Sequence, residues 1–126
     1  LWMLGSNITT VSWPYSGEVD IMEMVGGSGL ENRTVGTAHW NNGGVYEADG
    51  VTKKPYNPAS FGDTYTLSGG ETLANAYHVF SLEWTESELT WYIDDIQYYS
   101  MAIESSGDLS VFQKEFFLIL LMHILV

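Results

Sequence analysis

The sequence predicts an all-β domain, and three observations carry that expectation. Short segments with apolar and polar residues alternating recur along the chain, clusters of Gly, Pro, Asn and Asp separate them, and no stretch holds a convincing helical period. Aromatic residues make up 14% of 126 and gather in those segments, where a half-buried pleated surface suits them. A hydrophobic share of 45% marks a folded chain rather than a disordered one. The length suits one domain and is short for a two-sheet sandwich.

Charge narrows the partners. Arg33, Lys53, Lys54 and Lys114 face sixteen acids, for a net charge of -12. Such a field argues against nucleic acid and anionic membrane, and equally against sulfated glycans. A neutral polysaccharide fits it best. There is no cysteine from which to infer a redox compartment. The longest apolar run, Phe116 to Val126, is 11 residues with His123 inside it, too short for a membrane helix. No signal peptide is visible, since Leu1 is not an initiator methionine and no charged leader precedes it. That start and the apolar ending read as a piece cut from a longer protein.

The chain is organised around Gly17-Glu18-Val19-Asp20-Ile21-Met22-Glu23-Met24-Val25-Gly26-Gly27. Glu18 and Asp20 share one face of a regular strand, and Glu23 would point the other way, into the apolar layer. An unpaired carboxylate is very costly there. One extra residue around Ile21-Met22, a β-bulge, swings Glu23 back beside the other two. Three carboxylates then stand in a row. Crowded carboxylates hold their protons unequally, and retaining glycoside hydrolysis uses such a pair, one as nucleophile and one as acid. Taken alone, the triplet suits the solvated face of an amphipathic strand as well.

The flanks decide between those readings. Trp13-Pro14-Tyr15-Ser16-Gly17 followed by Glu18-Val19-Asp20-Ile21-Met22-Glu23 closely resembles the active-site signature of glycoside hydrolase family sixteen, in the bulged form typical of laminarinases. The resemblance implies Glu18 as nucleophile, Glu23 as general acid/base, and Asp20 between them tuning their protonation. It places Trp13 in the donor side of the cleft. Gly36-Thr37-Ala38-His39-Trp40 is similar to the family's G-T-x-H element, which implies His39 near the acid/base. Trp2, in Trp2-Met3-Leu4-Gly5, matches the family's W-M-L-G and is expected among the sugar contacts.

The remaining elements follow in order. Arg33 to Trp40 reads as the strand beside the catalytic one, with Thr37, His39 and Asn41 on one face. The turn before it is Gly26-Gly27-Ser28-Gly29. Asn41 to Leu67 reads as a long irregular loop pair, with Lys53-Lys54 as solvated surface. Tyr77 to Trp84 and Glu88 to Ile93 read as strands joined by Thr85-Glu86-Ser87. A two-residue turn at Asp94-Asp95 leads into Ile96 to Tyr99. Phe80, Leu82, Leu89, Trp91 and Ile93 are expected between the sheets, and Glu83 is expected to be structural. Phe112 to Leu120 resembles another family strand, after which Leu121 to Val126 departs from the family pattern.

The resemblance implies a concanavalin-like β-sandwich jelly roll, with residues 1–126 as the central part of one catalytic domain. The expected function is retaining endo-hydrolysis of β-1,3-glucan. The alternatives are a mixed-linkage β-glucanase, a lectin-like carbohydrate-binding module, or an inactive fragment. No cofactor is expected and no metal-ligating set is visible. The family's calcium site belongs to strands outside this chain. An extracellular location is expected by resemblance. Self-association is expected through Phe116 to Val126, a continuous run suited to a strand buried on both faces or to an interface.

Overall fold

Alternation becomes strand wherever one set of side chains can be taken from water and the other left in it. The computed structural model describes residues 1–27 and 29–121; among these, eight strands form two antiparallel sheets. The strands are β1 (Trp2–Gly5), β2 (Glu18–Glu23), β3 (Arg33–Asn41), β4 (Pro58–Thr66), β5 (Phe80–Trp84), β6 (Glu88–Ile93), β7 (Ile96–Ala102) and β8 (Phe116–Ile119). The larger sheet runs β4-β3-β2-β1-β8, and the smaller one β5-β6-β7. The expectation of an all-β sandwich holds. Among the described residues no helix is long and apolar enough to cross a membrane.

The two sheets bury their facing sides against each other. Val19, Ala38 and Trp40 from the larger sheet meet Leu89, Trp91 and Met101 from the smaller one, with Ile103, Val111 and Phe112 closing one end. On β3 the inward set is Thr34, Gly36, Ala38 and Trp40, all buried, while Val35, Thr37 and His39 on the other face are half-buried. At Gly36 a Cβ would strike the Trp91 ring and the Tyr98 hydroxyl, so the missing side chain lets the sheets approach. Trp84 closes the same end as Phe112, edge-on to Phe116 at 4.9 Å, its Nε1–H donating to the Phe112 carbonyl at 3.1 Å.

Several elements differ from expectation. Within Asn41 to Leu67, read as irregular, Pro58–Thr66 is a nine-residue edge strand fully registered on β3. Its Pro and Gly signal loop, yet Pro58 opens an edge strand, where no ladder donor is lost. Gly62 lies where a Cβ would strike the Gly36 carbonyl, a close approach rather than a turn. Phe112 belongs to a 3-10 turn, Asp108–Gln113, and strand resumes only at Phe116. One helical turn, α1 (Ile8–Val11), precedes β2. Tyr77 to Val79 precede β5 rather than joining it. Leu89, Trp91 and Ile93 are buried as expected and Leu82 packs against the core, but Phe80 is only half-buried beside His78. Lys53 is not merely solvated: its Nζ lies 4.5 Å above the Tyr15 ring. The Thr85-Glu86-Ser87 hairpin and the Asp94-Asp95 turn are present, the latter with positive φ at both residues. Glu83 accepts from the Tyr92 hydroxyl at 3.0 Å, a scaffold contact.

The apolar run at the end is not buried on both faces. β8 is an edge strand, and Phe117, Leu118, Leu120 and Leu121 are exposed. Phe116 packs against Trp84, whereas Leu118 is left exposed. Ser28 and residues 122–126 lie outside the described residues, with part of the predicted Gly26–Gly29 turn and of the predicted contact segment.

Candidate active site

The site begins with a mismatch in pairing. On β2 and β3, Glu18 faces His39, Asp20 faces Thr37 and Glu23 faces Val35, so three steps on β2 span two on β3. That is one extra residue, in Ile21-Met22, where parity required it. The backbone carries the same signature. The Leu1 carbonyl accepts from the Ile21 N–H at 2.9 Å and the Met22 N–H at 3.1 Å, two consecutive donors on one acceptor. From the opposite sheet the buried Trp91 Nε1–H donates to the Asp20 carbonyl at 2.9 Å. Because Val35, Thr37 and His39 share a face, so do their partners Glu23, Asp20 and Glu18.

Side chains around this row converge on it. Trp13 leaves the Trp13–Pro14 turn with its indole partly exposed and donates from Nε1 to Glu18 Oε2 at 2.6 Å. His39 Nε2 lies 3.1 Å from Oδ2 of the buried Asp20. The resemblance expects His39 near the acid/base. The structure seats it opposite Glu18 and against Asp20, within electrostatic reach of Glu23, because β3 runs antiparallel and its His pairs with the first acid of the row. The Trp13 and His39 rings are 6.2 Å apart. Trp2 is the cross-strand partner of Asp20 on β1, and it lines with Leu1, Met22, Glu23, Met24 and Leu121 a cavity of about 340 Å³. All six residues singled out in the sequence therefore lie along one face.

Electrostatics moves both glutamates in the same direction. Partial burial raises the Glu18 pKa above the ordinary carboxylate value, the Asp20 charge adds to that, and the Trp13 hydrogen bond pulls it back down. Glu23 is open to solvent on one side, but Trp2, Met22 and Met24 take away part of its water. That desolvation, reinforced by Asp20, raises Glu23 too. The His39 pKa is raised, chiefly by its hydrogen bond to Asp20, with the charges of Asp20, Glu18 and Glu23 adding to it against its own burial. Burial and Asp20 thus raise both glutamates, and Glu18 differs in having the Trp13 donor on its carboxylate.

Two residues escaped the sequence reading. Trp91 was legible as core, but its bond to the Asp20 carbonyl requires knowing that the bulge frees that oxygen. Tyr56 lies in the loop after β3 with its ring 6.2 Å from Trp13. An aromatic flanked by Pro55 and Asn57-Pro58 in a loop was the available signal.

A β-sandwich with a crowded carboxylate row between aromatic walls defines a carbohydrate-site architecture of the glycosidase type. The chain belongs to the glycosyl hydrolases family 16, whose profile matches residues 2–114. It is similar to the glucan endo-1,3-beta-glucosidase A1 of Niallia circulans, 35% identical over 95% of this chain and 17% of that protein. It is also similar to the beta-1,3-glucan-binding protein of Penaeus monodon, 33% identical over 76% of this chain and 25% of that one. Among solved structures it matches the laminarinase catalytic domain from Thermotoga maritima with a TM-score of 0.61 and 39% identity, covering 80% of this chain and 35% of that chain. The chain thus spans about a sixth to a third of the length of these three proteins. Among the described residues no group of three or more His, Asp or Glu could hold a metal ion.

Proposed function

We propose that residues 1–126 form part of a catalytic domain that hydrolyses β-1,3-glucan within the chain, with retention of configuration. The observation that carries this reading is the bulge that sets Glu23 on the face of Glu18 and Asp20. Glu18 attacks the anomeric carbon while Glu23 gives its proton to the departing glycosidic oxygen; the bond to that oxygen breaks as the Glu18 ester forms. Glu23, now ionised, takes a proton from water, and the water oxygen displaces Glu18. The Trp13 N–H orients the Glu18 carboxylate and steadies its charge before attack. Asp20, paired with His39, stands between the two, and its charge raises the Glu23 pKa. The chain's acidity fits a neutral polymer. Such a polymer cannot enter a cell intact, which supports a secreted enzyme.

The Penaeus monodon relative favours a second reading, a glucan-binding module without turnover. A complete acid row is superfluous for binding, and this supports hydrolysis. Reducing-sugar release from laminarin, lichenan and agarose, measured side by side, decides among the readings. Release from laminarin, abolished by Glu18→Gln, is expected. Release from lichenan alone would move the assignment to mixed-linkage glucan. Laminarin binding with no release from any polymer would establish the binding module.

A further inference from the structure

The loop between β3 and β4 is anchored on both sides of one exposed ring. Asn41 at the end of β3 donates from Nδ2 to the carbonyls of Gly44 at 2.8 Å and Pro55 at 3.2 Å, and its Oδ1 accepts from the Asn57 N–H at 2.7 Å. The Tyr15 hydroxyl donates to the Lys54 carbonyl at 2.8 Å, and Lys53 Nζ reaches Ser12 Oγ at 3.2 Å. The backbone is therefore fixed at Lys54, Pro55 and Asn57. The residue these contacts surround, Tyr56, keeps 61% of its surface open to solvent. An aromatic ring held out on a pinned loop can bind without first being ordered, and preorganisation of that kind strengthens binding.

The ring is aimed at the cleft. Its centroid is 6.2 Å from that of Trp13, and the planes cross at 52°. The two rings form an open V rather than a stack, so each leaves part of a face uncovered. Trp13 is fixed at its other edge by the hydrogen bond to Glu18. A sugar unit lying on this pair would adjoin the unit whose anomeric carbon Glu18 reaches. The C–H face of a pyranose is apolar and its rim is hydroxylated, which suits two tilted aromatic rings with water at their edges.

We propose that Tyr56 joins Trp13 in holding a pyranose next to the one attacked by Glu18, as a further substrate-binding residue of the site. This rests on the glucanase reading above. The test is calorimetric titration with laminarihexaose in a Glu18→Gln background, so that the ligand is not consumed. Adding Tyr56→Ala should weaken binding roughly tenfold, one stacking contact's worth. Adding Tyr56→Phe should restore it, and the melting temperature should stay unchanged in both. Unaltered affinity in the Ala variant would overturn the proposal. So would a Phe variant as weak as the Ala one, or a melting temperature lowered in step with affinity, since either points to loop support rather than stacking. If the parent ignores laminarihexaose but binds a mixed-linkage oligosaccharide, the β-1,3 reading falls. The same Ala and Phe comparison on that ligand then decides the role of Tyr56 separately.

Discussion

Asp20 is the residue through which the others communicate. Its buried carboxylate holds His39, its charge raises both Glu18 and Glu23, and its carbonyl is anchored by Trp91. The His39 pair has a testable pH signature. The folded-state pKa of His39 is raised above 6.5, so the pair's stabilisation is fully present below about pH 6.5 and is lost as pH rises through the raised value. The melting-temperature gap between wild type and His39→Gln should accordingly be widest near about pH 5 and close by about pH 9. A gap that stayed constant or grew with pH would contradict the pairing. At this scale the acid row was legible because a carboxylate of the wrong parity forces a local irregularity. The place of His39 was only half legible: its face followed from alternation, but its partner depends on cross-strand register. Tyr56 was legible only as an aromatic in a Pro-flanked loop, since loop residues have no period to betray which way they point.

Elements were legible where a single period operated. The β5-β6-β7 meander could be read off its alternating aromatics and its Asp94-Asp95 turn. β4 could not, because its signals conflict. Pro58 is tolerated as the first residue of an edge strand, and Gly62 is demanded by the nearness of the Gly36 carbonyl, yet both letters spell loop locally. The end of the 3-10 turn at Gln113 was hidden for the opposite reason: Phe112 belongs to the core in either conformation, so its hydrophobicity does not discriminate. The bulge links element to site. It displaces Glu23 by one position, and it leaves a carbonyl that the smaller sheet satisfies through Trp91 across the opening at Gly36. Placement of β2 thus depends on the sheet that carries none of the three acids in its row.

Across the whole molecule, the core lies between two sheets of unequal size, and β8 is where the inequality surfaces. Phe117, Leu118, Leu120 and Leu121 are exposed on or just after an edge strand, where apolar side chains and unpaired backbone groups coincide. Such an edge is a template for another strand. We expect this chain in isolation to self-associate there at micromolar concentration, and sedimentation should show concentration-dependent mass that Leu118→Lys reduces. A stable monomer at all concentrations would refute it. The central claim is the division of labour across the bulge, with Glu18 as the residue that bonds to sugar. It is tested most directly by trapping with an activated 2-deoxy-2-fluoro laminaribioside, followed by mass spectrometry of the digested protein. The expected result is one fluoroglycosyl adduct, on the peptide carrying Glu18 and at that side chain. An adduct on Glu23 or Asp20, or hydrolysis that proceeds unlabelled to a product of inverted configuration, would contradict it.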